Sequence, residues 1–129
     1  MKEAMFSIVV GLSMYSMGAQ AKDAIAECTL VGADFASCAW KYEQLKQNSY
    51  RTKDVDVAYS VGAFRGFVMG VALSRLNSSF CPSQNFSDAQ IYAVVAQYVR
   101  IHPEKWGEEP VDLVNMALGE AFPCQKPKK

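Results

Sequence analysis

Four cysteines, Cys28, Cys38, Cys81 and Cys124, constrain this 129-residue chain more than any other feature. What they do depends on the compartment, and the N-terminus speaks to that. Residues 1–21 read as an export signal peptide. Lys2 adds positive charge to the α-amino group, partly offset by Glu3. An apolar stretch without charge follows from Met5 to Met17, and Ala19-Gln20-Ala21 has the small-residue pattern of a cleavage site. Spanning a bilayer takes about 20 apolar residues, so this shorter stretch reads as a cleaved leader and not an anchor. The mature chain is expected to begin at Lys22, with 22–129 forming a single domain. In an exported chain an even number of cysteines implies disulfides. Four cysteines allow three pairings, and spacing alone does not choose among them. Cys28–Cys38 with Cys81–Cys124 is the preferred set. Zinc is disfavoured, because no C-x-x-C occurs and His102 is the only histidine. No cofactor or metal is expected.

Net charge is zero, with 13 basic and 13 acidic residues. Such a domain has no electrostatic case for nucleic acid or for an anionic membrane surface.

The pattern along the chain is helical throughout. Lys22 to Val31 suggests a short helix stopped by Gly32. Asp34 is placed to cap the next, whose Phe35, Cys38, Tyr42 and Leu45 recur at helical steps. After a polar loop over 47–53, Asp54 or Asp56 starts the longest helix, running to about Leu76. Within it Gly62, Gly66 and Gly70 recur at every fourth residue. Each glycine in a helix interior costs about 1 kcal/mol relative to alanine, so something is expected to approach that face: another helix of the same domain, or the seam of a homodimer. Arg65 argues against a membrane span. Ser87 and Gln90 form a capping box for a helix ending near Ile101, with Ile91, Val94, Val95, Tyr98 and Ile101 on one face. Pro103 terminates it. Pro110 suits the first turn of the last helix, whose buried face is read as Val111, Val114, Leu118 and Phe122, flanked by Leu113 and Ala117. Pro123 stops that helix, and Cys124 follows. The expectation is an all-α, disulfide-bonded bundle of four to five helices.

Catalysis finds little support. Oxidised cysteines cannot attack, and a serine nucleophile would have only His102 as its base. A histidine at a helix end before proline suits a capping role. Glu104, Glu108 and Glu109 cluster in one loop, as solvated acidic residues commonly do. The glycine row lies inside a helix, where its N–H groups are already bonded and cannot cradle phosphate. Binding remains. The loop 102–109 sets Trp106 among three glutamates, and tryptophan is a frequent hot-spot residue. The indole either caps the core or meets a partner.

Several short segments together resemble the Rap/Tai immunity family of type VI secretion systems. They are Gly66-Phe67-Val68-Met69-Gly70-Val71, Phe80-Cys81-Pro82, Gln90 with Val94-Val95 and Tyr98, His102-Pro103-Glu104, Leu113-Val114 with Ala117-Leu118, and Ala121-Phe122-Pro123-Cys124. The resemblance implies an all-helical periplasmic immunity protein, not an enzyme. Such a protein binds a secreted peptidoglycan amidase of papain-like Cys–His type and blocks its cleft sterically, protecting the producing cell and its siblings. It also implies a Cys81–Cys124 bridge and a homodimer. Relatives often carry a cysteine where this chain has Phe64, which leaves Cys28 to pair with Cys38 or stay free. The partner-binding residues expected are His102, Glu104, Lys105, Trp106, Gly107, Glu108 and Glu109. A general periplasmic helical chaperone or stress protein is the competing expectation.

Overall fold

A computed structural model describes residues 27–125. The leader reading at 1–21 lies outside the described residues, as do the first half of the first predicted helix, residues 22–26, and residues 126–129. Residues 27–30 are helical. Four α-helices follow: α1 (Gly32–Gln47), α2 (Val55–Arg75), α3 (Asp88–Ile101) and α4 (Pro110–Ala121), with a 3₁₀ turn at Pro103–Lys105 between the last two. Among the described residues there is no strand, only an isolated bridge between Leu76 and Phe80. The domain is a small all-α bundle.

Local chemistry sets most boundaries. The Asp54 carboxylate accepts from the N–H groups of Asp56 and Val57 and starts α2. Ser87 and Gln90 form the capping box of α3. Pro110 occupies the first turn of α4, where it forfeits no helical hydrogen bond. The start of α1 differs from expectation. Its N-cap is Val31, without a side-chain cap, and Asp34 lies inside the first turn. There the carboxylate meets the helix dipole instead of capping. Gly32 opens this helix instead of stopping a preceding one.

The core is aromatic at its centre. Phe64 of α2 lies against Phe35 and Tyr42 of α1, with ring centroids 5.3 and 5.2 Å apart, and Tyr42 meets Tyr92 of α3 at 5.9 Å. Around them pack Val68, Val95, Val99, Leu113, Val114 and Leu118, all fully buried. Burial on the Tyr42 phenol, helped by the neighbouring Tyr50 hydroxyl, pushes its pKa above the ordinary tyrosine range. On α3, Tyr92, Ala96 and Val99 are buried while Ile101 is exposed; on α4, Leu113 and Ala117 are central and Val111 is exposed. Ile91, Val95 and Tyr98 on α3, and Val114 and Leu118 on α4, are buried as read from the sequence; the buried surfaces are wider than one stripe because each helix packs against more than one neighbour.

Both disulfides form in the preferred pairing, Cys28–Cys38 and Cys81–Cys124. The second ties the α2–α3 loop to the end of α4, where Cys81 N–H also donates to Phe122 O at 2.8 Å. The glycine row does not pack within the domain. A Cβ on Gly62, Gly66 or Gly70 would meet nothing within 4 Å. The expectation of an internal helix contact fails there, and the row faces solvent.

Candidate functional site

The loop joining α3 to α4 gathers the seven sequence-predicted partner residues at one end of the α3–α4 hairpin, opposite the Cys81–Cys124 bridge. His102 caps α3, its N–H donating to Tyr98 O at 3.1 Å. Its ring packs on Tyr98, with centroids 4.4 Å apart, and Nδ1 lies 2.8 Å from Glu104 Oε1. That hydrogen bond holds the Glu104 carboxyl below the usual glutamate range. Lys105 reaches back along α4, with Nζ 3.9 Å from Met116 Sδ. Gly107, Glu108 and Glu109 are exposed, and Glu109 is the N-cap of α4.

Trp106 is tied to the core and yet stays partly accessible. Its Nε1–H donates to Val99 O at 2.8 Å, while 38% of the residue stays exposed. The reason lies three residues earlier. In a continuing helix Val99 O would accept from residue 103, but that residue is Pro103, which has no N–H. The indole takes the vacant place. The loop is also clamped from the side. A Cβ at Gly32 would lie 2.3 Å from Glu108 O and 2.7 Å from Trp106 O, so the start of α1 presses directly on the loop backbone. Only glycine allows that approach.

The model of the Rap1a immunity proteins matches residues 20–124, most of the chain and all of this loop. The chain belongs to the Rap1a immunity family. It is therefore an immunity protein for a secreted effector, and its partner is that cognate effector protein. No curated protein and no solved structure matches.

In this Rap1a-family chain the loop borders a second feature that the sequence reading missed. A largely apolar cleft of about 490 Å³ runs between α1 and α3, and Trp106 forms one wall. Ala33, Ala36, Ala39 and Ala96 line it. Trp40, 55% exposed, also borders it, as do Glu43 and Arg100. The available signal was the spacing of Ala33, Ala36, Trp40 and Glu43, which puts them along one side of α1. Among the described residues no group of His, Cys, Asp and Glu is arranged to hold a metal ion.

Proposed function

We propose that this immunity protein acts in the periplasm, where it inhibits a peptidoglycan amidase delivered by type VI secretion, and that the 102–109 loop obstructs the amidase cleft. The observation that carries the reading is the Rap1a match over 20–124. Two cystine bridges suit an oxidising compartment. A loop held by Pro103, Trp106 and Gly32 suits a plug, since a preorganised segment loses little conformational freedom on binding. Inhibition needs no chemistry from the inhibitor: filling the cleft keeps cell-wall peptide from the nucleophile.

The test directs candidate secreted amidases to the periplasm, with and without this protein, and counts survivors. Rescue that disappears when residues 1–21 are deleted supports periplasmic immunity. Failure to rescue from every candidate, with the protein well expressed, refutes the amidase reading and points to an effector of another class. Lys105→Ala with Glu108→Ala is expected to weaken rescue without altering helical content, because neither side chain closes a backbone hydrogen bond.

The bare glycine row belongs, in this reading, to a second copy of the chain. The face holds Gly62, Gly66 and Gly70 beside Leu73, which is 67% exposed, and Arg65 is held over the Tyr92 ring at 5.0 Å. Small residues let two helix backbones approach closely. Sedimentation should show a dimer for the wild type and a monomer for Gly66→Arg.

A further inference from the structure

The chain contains two tryptophans, Trp40 and Trp106, and both line the α1–α3 cleft although 66 positions separate them. The floor between them is alanine, so the cleft is a pit with two indole walls. Trp40 is more than half exposed, and its indole has no hydrogen bond among the described residues. Glu43 and Arg100 stand beside it, and neither forms an ion pair among the described residues. Tryptophan and arginine around a small apolar pit are the residue types that dominate binding energy at protein interfaces, with unpaired charges at the edge providing register. The cleft is also continuous with the proposed plug, because Trp106 belongs to both.

From this we infer that the cleft receives a large apolar side chain of the effector, seated between the two indoles and flanked by a basic residue that meets Glu43 and an acidic residue that meets Arg100. This rests on the immunity reading and extends it. The effector is gripped along the α1–α3 face as well as at the loop, and Trp40, Glu43 and Arg100 become specificity-determining residues. The flanking charges set the orientation of the entering segment, since the reversed polarity would bring like charges together.

The test uses 5-fluorotryptophan in place of the two natural tryptophans, giving two fluorine resonances that Trp40→Phe assigns. The probe is an unlabelled, catalytically inactive form of the amidase from which the wild type rescues cells. Both resonances are expected to shift on complex formation. Trp40→Ala, and Ser37→Phe at the exposed cleft edge, should each weaken binding about tenfold or more in calorimetry. Arg100→Glu should weaken binding most at low salt. A calorimetric complex in which both resonances keep their positions, or in which Trp40→Ala and Ser37→Phe bind like wild type, overturns the cleft while immunity stands. Absence of any rescue by wild type overturns the amidase reading and this inference with it.

Discussion

Trp106→Phe separates the structural duty of this side chain from the binding duty proposed for it. The replacement keeps an aromatic wall but removes the only donor, among the described residues, to Val99 O, which Pro103 cannot satisfy. Val99 is fully buried, so water does not readily replace the indole. Leaving a buried carbonyl without a partner costs about 1–3 kcal/mol. The smaller ring also gives up packing, worth up to about 1 kcal/mol for a side chain already partly exposed. A total near 2 kcal/mol is a large share of the 5–15 kcal/mol typical of a domain. It corresponds to a fall in Tm of about 8–16 °C for a domain of this size. Thermal unfolding followed by circular dichroism measures it, with Trp40→Phe as the control. Trp40 is exposed and without a hydrogen bond among the described residues, so its replacement should change stability by no more than about 0.5 kcal/mol. Pro103→Ala supplies the missing N–H and should recover part of the loss in the double variant. Equal stabilities for Trp106→Phe and Trp40→Phe, or additive effects of Trp106→Phe and Pro103→Ala, would refute the argument.

Three further outcomes are expected. Gly32→Ala should lose about 1–3 kcal/mol despite alanine's better helix propensity, because the new Cβ collides with two backbone carbonyls and not with a flexible side chain; an unchanged urea midpoint contradicts this. Removing the 43-residue Cys81–Cys124 link with paired alanines should cost about 4 kcal/mol in the chain-entropy picture, and the 10-residue Cys28–Cys38 link about 3 kcal/mol, read from urea titrations. The Glu104 carboxyl is held low by His102, so its contribution to stability is present above the ordinary glutamate pKa and disappears as pH falls through the lowered native value. Glu104→Gln should therefore be less stable than wild type at pH 7 and equal to it in strong acid, and a gap that persists at low pH would show the carboxylate charge to be irrelevant.

Where a boundary is written in local chemistry, it could be read from the sequence. Asp54, the Ser87–Gln90 box and the prolines at 103, 110 and 123 act on their own backbone within a few residues, and the helices start and stop beside them. Gly32 misled for the opposite reason. Its lack of a side chain answers to Glu108 and Trp106, more than 70 positions away, and a helix-stopping role is the usual reading of an isolated glycine. The glycine row misled too, because its spacing says that something small is tolerated on that face but not what lies opposite. Ile101 and Val111 were assigned to buried faces by period alone, yet they flank the loop where their helices leave the core. The loop was legible as a unit because its residues are contiguous. The cleft was not, since α1, α3 and the loop each contribute part of it.

The loop's fixation bears on the plug role proposed for it. Three independent devices converge on eight residues. Pro103 makes a vacant acceptor that draws in the Trp106 indole, Gly32 lets α1 bear on the loop backbone, and His102 with Glu104 braces the turn from its outer side. None of these uses the exposed faces of Glu108, Glu109 or Gly107, which remain available to a partner. Holding the backbone from behind while leaving the front free lowers the ordering cost of association without committing the contact chemistry. Front-face residues can then change from one effector to another without loss of fold. A change at Pro103, Trp106 or Gly32 would alter the platform itself, and should lower stability and affinity together.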